Sequence, residues 1–281
     1  MTATAGIVLA GGRSSRMGAP KATLDWRGST LVRRAVGIVG RAVDGPVVVV
    51  RAHGQKLPPL PGGVELTEDA REGRGPLQGL AAGLAEIAGR ADVAYVSGVD
   101  TPLQHPAFIR HVVRSLDGDH DVALPHAHGF DHPLAAAYRT SIASAVEEVI
   151  SSDELATGAL LERLEVLALD EPALLADRAV AAFDPDLDSV HNLNTPDEYD
   201  AARARLAPRV TVRCWGALRT AGLDPITLCV ATAGAAAEIL GIELGGDVVA
   251  ILNGERIVED PQEPLAAGDT VIFTATERPI S

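Results

Sequence analysis

Residues 5 to 21 read AGIVLAGGRSSRMGAPK, and this stretch passes from an apolar run directly into a loop rich in glycine and cationic side chains. The continuous run over residues 5–9 predicts a strand buried on both faces. The adjacent Gly11 and Gly12 allow a sharp turn and leave room for a ligand at the backbone N–H groups, which bind anions in such turns. Positive charge is added by Arg13, Arg16 and Lys21. The stretch predicts a polyphosphate-binding loop, with a solvated Gly/Ser loop as the alternative.

Two familiar glycine-rich motifs do not fit this loop. The phosphate loop of P-loop NTPases needs Gly-x-x-x-x-Gly-Lys-Ser/Thr, whereas Gly12 and Gly18 flank five residues and Lys21 is followed by Ala22. The dinucleotide fingerprint needs Gly-x-Gly-x-x-Gly, but Gly11 and Gly12 are adjacent. The loop therefore belongs to a different class of phosphate-binding site.

Composition narrows the class of protein. The chain has 281 residues, 47% of them hydrophobic and only 3% aromatic, and its formal net charge is −14. This acidic balance argues against nonspecific binding to nucleic acid or to anionic membranes. Two cysteines are too few for a disulfide framework or a zinc quartet. Since we find no signal-peptide pattern and no apolar run near ~20 residues, we expect a cytoplasmic protein.

The first three quarters of the chain alternate strand and helix patterns. Predicted strands span residues 5–10, 46–50, 64–66, 92–97, 121–124 and 134–138. Predicted helices span residues 30–43, 77–87, 106–116 and 195–206, with further helices up to residue 164. Such alternation is typical of an α/β fold with a Rossmann-like, mostly parallel sheet and helices on both faces.

The pattern changes near residue 207, where Pro208 follows the last of these helices. We predict strands at residues 210–215, 226–231, 248–252, 256–259 and 270–274, with a helix at residues 233–240. Asn253-Gly254 between two short apolar segments predicts a hairpin. The chain is therefore divided into domains at residues 1–206 and 208–281, the second a small α+β unit.

The string LAGGxSxRMGxxK resembles the signature loop of the nucleotidyltransferases, especially the molybdenum cofactor guanylyltransferase branch. The matching positions are Leu9, Ala10, Gly11, Gly12, Ser14, Arg16, Met17, Gly18 and Lys21. The resemblance implies that this loop, including Arg13, wraps the triphosphate of an incoming NTP. It also implies that Lys21 and Arg16 take part in catalysis by neutralising phosphate charge.

Asp100 lies in the stretch Ser-Gly-Val-Asp-Thr-Pro, at the carboxyl end of a predicted strand. Open α/β sheets bind ligands at this edge, and Mg²⁺ prefers one or two carboxylates together with phosphate oxygens and water. A carboxylate facing the triphosphate is therefore placed to hold Mg²⁺, and the resemblance implies the same catalytic and metal-binding role. The alternative is an aspartate that caps the next helix.

Residues 73 to 79 read GRGPLQG and resemble the base-recognition turn of the family. The resemblance implies that Gly75 and Pro76 contact the base, and Asp69 is the candidate carboxylate for the donor groups of guanine. The alternative is an ordinary helix start with proline at its first position. The turn does not distinguish GTP from CTP.

Two later segments resemble the metal or acceptor side of the family. The sequence HNLNTPD supplies Asn192 and Asn194, and DHPL supplies His132. His126 and His128 lie near His132, but no zinc-ligand spacing fits, so solvated loop histidines are the alternative. When protonated, this group is expected to favour an anionic pterin phosphate.

Residues 208–281 resemble the ubiquitin-like β-grasp fold of sulfur-carrier proteins. The resemblance rests on VVAILNGE at residues 248–255 and on PLAAGDTV at residues 264–271. Sulfur carriers end in Gly-Gly, whereas the sequence here ends RPIS. We therefore expect this unit to dock proteins of molybdenum cofactor biosynthesis or acceptor proteins and not to carry sulfur.

The resemblance implies a Mg²⁺-dependent transfer of a nucleoside monophosphate, GMP favoured, from NTP to the phosphate of molybdopterin. The acceptor phosphate attacks the α-phosphorus in line and pyrophosphate leaves, so positioning and charge neutralisation suffice. One alternative is a cytidylyltransferase on the same cofactor or a sugar-phosphate nucleotidyltransferase. Another is a non-catalytic assembly protein that binds nucleotide or cofactor.

Overall fold

The computed structural model describes residues 3–11, 17–69, 75–154, 156–218 and 225–275, which form an eight-stranded and a five-stranded sheet. The strands of the first sheet are β1 (Thr4–Leu9), β2 (Val47–Arg51), β3 (Val64–Glu68), β4 (Val93–Gly98), β5 (Val122–Ala127), β6 (Phe130–Asp131), β7 (Ala135–Arg139) and β8 (Val166–Leu169). Its helices are α1 (Leu31–Gly40), α2 (Pro76–Glu86), α3 (Pro106–Ser115), α4 (Ala143–Ser151), α5 (Thr157–Leu161), α6 (Glu171–Leu175), α7 (Arg178–Phe183) and α8 (Pro196–Ala204).

The first sheet has the order β3-β2-β1-β4-β7-β5-β6, and β8 pairs with β5. Strands β1 to β4 run parallel to one another, and β5 runs parallel to β8, whereas β7 is antiparallel to both β4 and β5. The carboxyl ends of β1 to β4 therefore meet at one edge. The prediction of a mostly parallel α/β sheet is confirmed.

Helices cover both faces of this sheet, as the alternation along β1 requires. Val8 packs into the core beneath α1 and α3, whereas Ile7 and Leu9 pack into the opposite core beneath α2 and α4. Helix α2 lies very close to β1 at Gly83, which has no side chain. A Cβ at this position would lie only 2.6 Å from Ile7 Cγ2. This close approach brings the start of α2 to the same edge as the loop after β1.

The elements between α5 and α8 have no clear signature in the sequence. Strand β8 has four residues, and α6 and α7 have five and six. Elements this short do not show a hydrophobic period, which needs a window of about 11 residues or more. The sequence likewise predicted β7 but not its antiparallel orientation, because direction is set by long-range pairing.

The second sheet comprises β9 (Arg209–Cys214), β10 (Ile226–Cys229), β11 (Val248–Leu252), β12 (Arg256–Val258) and β13 (Thr270–Ala275), with helix α9 (Ala233–Ile239). Its order is β10-β9-β13-β11-β12, and β9 and β13 are parallel. The predicted hairpin at Asn253-Gly254 is confirmed, since φ is 54° and 77° at these residues and β11 pairs antiparallel with β12. We call residues 208–275 the C-terminal unit. It has its own apolar core, which includes Val212, Leu252 and Phe273.

Among the helices in the described part of the chain, none has the length and apolar character needed to cross a bilayer.

A buried carboxyl group makes the stability of the fold depend on pH. Asp184 is 5% exposed, and burial raises its pKa to about 6, above the ~3.9 of an unfolded chain. The folded state therefore holds the proton more tightly. This contribution to stability is fully present below about pH 4 and is lost as the pH rises through about 6.

We expect Asp184→Asn to remove this dependence. Asparagine keeps the oxygen that accepts the backbone N–H of Ser189, at 3.2 Å in the structure, but carries no charge. The free energy of unfolding at pH 7.5 should rise by about 3 kcal/mol at most, with little change near pH 4. Denaturant unfolding at several pH values measures this, and a variant with the pH profile of the unsubstituted chain would contradict it.

Candidate functional site

The candidate site lies where β1 and β4 end side by side. Leu9 pairs with Gly98 in the parallel ladder, and the backbone N–H of Val99 donates to Leu9 O at 3.3 Å. Strand β1 is flanked by β2 and β4, and α1 and α2 lie on opposite faces of the sheet. Ligands of open α/β sheets bind at such a switch point. Asp100 after β4 therefore lies at the same sheet edge as the described start of the loop after β1.

Three residues predicted from the sequence come together at this edge. Lys21 Nζ donates to Asp100 Oδ2 and to Asn194 Oδ1, each at 2.9 Å. The side chains of Lys21 and Asp100 are 17% and 25% exposed, so the ion pair is only partly open to water. Segments far apart in the sequence thus place one ammonium, one carboxylate and one amide oxygen around a single point.

The backbone around Asp100 fixes the position of its carboxylate. Asp100 O accepts the backbone N–H of Leu193 at 2.8 Å, which ties the residue before Asn194 to the end of β4. A Cβ on Gly98 would lie only 2.4 Å from Asp100 Oδ1. The carboxylate therefore occupies space that only glycine leaves open. No pattern in the sequence predicts this role of Gly98, because its contact with Asp100 follows from the turn and not from spacing.

A buried polar network supports the segment between β4 and α3. Ser97 Oγ donates to Gly98 O at 2.9 Å and lies 3.0 Å from Gln104 Oε1. Gln104 Nε2 donates to the hydroxyl of Tyr95 at 3.2 Å. Burial raises the pKa of Tyr95 well above its usual value, so the hydroxyl stays protonated. This network holds the segment that follows Asp100 from the sheet side.

Asn194 lies directly before the start of α8. Thr195 Oγ1 accepts the backbone N–H of Glu198 at 3.2 Å, and the Glu198 carboxylate accepts the N–H groups of Asn194 and Thr195. These bonds form a capping box, which fixes the helix start, and they lower the pKa of Glu198. The same short segment therefore begins α8 and places the Asn194 side chain against Lys21.

The beginning of the predicted triphosphate loop is fixed by the end of β2. The N–H groups of Ala10 and Gly11 both donate to Val50 O, at 2.8 and 3.2 Å. Gln55 Nε2 donates to Ala10 O at 3.0 Å, and a Cβ on Gly11 would lie 3.1 Å from the backbone N of Ala52. Leu9 and Ala10 are buried. The predicted phosphate-binding residues Gly12, Arg13 and Arg16 lie outside the described residues.

The predicted base-binding residues lie beside this loop. The N–H of Asp69 donates to Arg51 O at 2.8 Å, so Asp69 follows the end of β3 at the same sheet edge. Gly75 has φ 79°, a conformation that favours glycine, and Pro76 is the first residue of α2. Residues 70–74 between them lie outside the described part. The edge thus carries both Asp69 and the start of α2.

The predicted acceptor side is a hairpin two strands away from β4. Since β4 and β5 are both antiparallel to β7, the β5–β6 hairpin projects from the same edge as Asp100. His132 Nε2 lies 3.0 Å from Ala127 O, and burial lowers the pKa of its imidazole. At neutral pH the ring of His132 is therefore uncharged. Asn192 is exposed, close in sequence to Asn194.

Clusters of metal ligands are absent from the described residues, in the sense of three or more His, Cys, Asp or Glu side chains together. His126 Nδ1 instead lies 2.7 Å from Asp131 Oδ1, within the β5–β6 hairpin. Asp100 and Asn194 offer one carboxylate oxygen and one amide oxygen around the same ammonium group, and oxygens of this kind suit Mg²⁺ better than zinc.

Several known proteins are similar to this chain in sequence. Residues 6–167 match the family model of the MobA-like NTP transferase domain. Over 184 residues the chain is 40% identical to a probable molybdenum cofactor guanylyltransferase of Mycobacterium ulcerans, covering 63% of this chain and 90% of that protein. A protein of the same name from Mycobacterium tuberculosis is 40% identical over 169 residues, covering 59% of this chain and 82% of that protein.

A similar fold occurs in the crystal structure of molybdopterin-guanine dinucleotide biosynthesis protein A from Archaeoglobus fulgidus. The TM-score is 0.57 at 24% identity, covering 71% of this chain and 96% of that one. At this identity the likeness concerns the fold alone. Taken with the family match over residues 6–167, it leads to one conclusion: the chain belongs to the MobA-like NTP transferase family and is a nucleotidyltransferase.

Proposed function

We propose that the chain transfers a nucleoside monophosphate, GMP favoured, from NTP to the phosphate of a molybdopterin-type acceptor. The observation that carries this proposal is the convergence of Lys21, Asp100 and Asn194 at the ends of β1 and β4. The names of the relatives that are 40% identical support both the base and the acceptor.

The residues at this point fit a magnesium ion. Asp100 Oδ2 and Asn194 Oδ1 both accept from the same ammonium group at 2.9 Å, so two oxygens already converge on one cation. Carboxylate and amide oxygens are hard ligands of the kind that Mg²⁺ takes together with phosphate oxygens and water. We propose that Asp100 and Asn194 would hold Mg²⁺, which when bound neutralises charge on the reacting phosphates.

The protein's own side chains then position and neutralise the substrates. We propose that Lys21 leaves Asp100 for the phosphates of the nucleotide, joined by Arg13 and Arg16. Asp69 and the turn at Gly75-Pro76 take the base. The β5–β6 hairpin with His132 takes the acceptor, and pyrophosphate leaves from the side of the first loop. Positioning of this kind accounts for much of the catalysis in reactions that need no covalent intermediate.

The decisive experiment measures pyrophosphate release with purified molybdopterin and each NTP in turn. We expect release with GTP, weaker release with CTP, and none when the acceptor is omitted. Preference for CTP would favour the cytidylyltransferase alternative. No pyrophosphate release with any NTP, despite measurable nucleotide binding, would favour a non-catalytic assembly protein and overturn the proposal.

Substitution of the two charged residues separates their roles. We expect Asp100→Asn to lower kcat on the order of 10²- to 10³-fold and to raise the Mg²⁺ concentration needed for half-maximal activity. Lys21→Gln should mainly weaken use of the NTP. Lys56→Gln, a charge-matched change at an exposed loop residue, is the control. Near-normal turnover in both site variants would rule out the assigned roles.

A methyl group at Gly98 tests the placement of the carboxylate without changing any charge. The new Cβ would overlap Asp100 Oδ1, at 2.4 Å, so Gly98→Ala should displace the carboxylate and reduce kcat on the order of 10²-fold. Gly118→Ala is the control, because nothing lies within 4 Å of the position of its Cβ. Equal kinetics for the two variants, with both folded by circular dichroism, would contradict the prediction.

We further propose that residues 208–281 form a separate β-grasp domain. One helix, a hairpin at Asn253-Gly254, and parallel β9 and β13 at the centre of the sheet support this interpretation. A separate apolar core supports it as well. Its proposed role is to dock proteins of cofactor biosynthesis or acceptor proteins.

A further inference from the structure

One arginine joins the segment after Asp100 to the C-terminal unit. Arg34 lies on α1 and is 5% exposed. Its Nε donates to Pro102 O at 2.8 Å, and its Nη1 donates to Leu265 O at 2.6 Å. Pro102 is two residues beyond Asp100, whereas Leu265 belongs to the C-terminal unit. We call residues 99–105 the Asp100 segment and residues 263–269 the docking loop.

A second tie joins the same two segments. The backbone N–H of Ala107 donates to His105 Nδ1 at 3.1 Å, which leaves the proton on Nε2. Nε2 donates to Ala267 O at 3.0 Å. Burial lowers the pKa of His105, and the neutral ring suits this arrangement of one acceptor and one donor. The Asp100 segment is therefore linked to the docking loop twice, through Arg34 at Pro102 and directly at His105.

Close packing holds the docking loop in place. A Cβ on Gly37 of α1 would lie 2.4 Å from Pro264 Cγ, so the loop rests directly on the helix backbone. Arg41 and Asp269 form an ion pair whose side chains are 8% and 5% exposed. Removing one partner of such a buried pair strongly destabilises the folded state, because the other charge is left buried and unpaired. The loop therefore has little freedom to move away from α1.

The charge of Arg34 strengthens the two carbonyl contacts. Burial lowers its pKa to about 9, so the guanidinium is still charged at neutral pH. A buried charge must be hydrogen-bonded to be tolerated, and bonds from a charged donor are stronger than neutral ones. Displacing either Pro102 O or Leu265 O would leave this charge with fewer partners.

We propose that Arg34 is a positioning residue for nucleotidyl transfer, through which the C-terminal unit sets the location of the Asp100 carboxylate. The inference rests on the proposed function for its kinetic consequence, but the contact itself does not. In this view residues 208–275 are a fixed part of the catalytic structure.

The test compares Arg34→Lys with Arg33→Lys. Arg33 is a matched control, because it is buried on the same helix and contacts Asp260 of the C-terminal unit and Pro59 O. These two contacts lie outside the Asp100 segment. Lysine keeps the charge but cannot reach two carbonyls with the geometry of a guanidinium. We expect Arg34→Lys to lower kcat on the order of tenfold and to raise the Mg²⁺ requirement, with Arg33→Lys close to the unsubstituted enzyme.

Hydrogen exchange of the amides of residues 99–105 gives a readout independent of activity. We expect faster exchange in Arg34→Lys than in Arg33→Lys. Gly37→Ala should also speed exchange of these amides, because its methyl group would push Pro264 and the docking loop away from α1. Alanine favours the helix itself, so loss of α1 would not explain this result. Equal exchange in the Arg34 and Arg33 variants, or faster exchange with unchanged kcat, would overturn the inference. If the unsubstituted chain shows no transfer with any NTP, the proposed function fails, and with it the kinetic role of Arg34.

Discussion

The contact of Lys21 with Asp100 and Asn194 is the constraint on which the rest of the site depends. A partly buried carboxylate needs a cation nearby, because desolvation of a lone charge is costly. Here Lys21 provides it, and the amide oxygen of Asn194 shares the same ammonium. Under the proposed function, a metal and a triphosphate would offer this carboxylate and this ammonium new partners of the correct sign. The ion pair would then hold both groups in position until those partners bind.

Space is the second constraint, and it acts through glycine. Gly98 leaves the volume that the Asp100 carboxylate occupies, Gly83 lets α2 approach β1, and Gly37 lets Pro264 rest on α1. In each case a methyl group would meet a neighbouring atom at 2.4 to 2.6 Å, well inside ordinary contact. The absence of side chains at these glycines therefore fixes the distances between Asp100 and the end of β4, between α2 and β1, and between the docking loop and α1. Electrostatic pairs then act between surfaces whose separation is already fixed.

Much of the fold followed from the sequence because its signals are local. Continuous apolar runs predicted β1, β2 and β4, and Asn253-Gly254 predicted the hairpin of the second sheet. Lys21 is a candidate from the sequence because it is a cation in the glycine-rich loop after a predicted strand, and Asp100 is one because it is a carboxylate at the end of another. No pattern predicts the role of Arg34, since an arginine in an amphipathic helix normally lies in solvent. Its burial results from the C-terminal unit covering α1, a long-range contact without a local signal.

The charges on α1 explain why the C-terminal unit packs on this helix in one specific orientation. The chain has a net charge of −14, yet Arg33, Arg34 and Arg41 lie on or directly after α1. Their partners are Asp260, Asp269 and carbonyl groups of the docking loop. Two apolar surfaces could associate in several orientations, whereas buried cations accept only the one that supplies an oxygen to each. The arginines therefore select a single orientation of the C-terminal unit. Arg34 has a further role because it also bonds Pro102 O, and this bond, more than the orientation itself, holds the segment that carries Asp100.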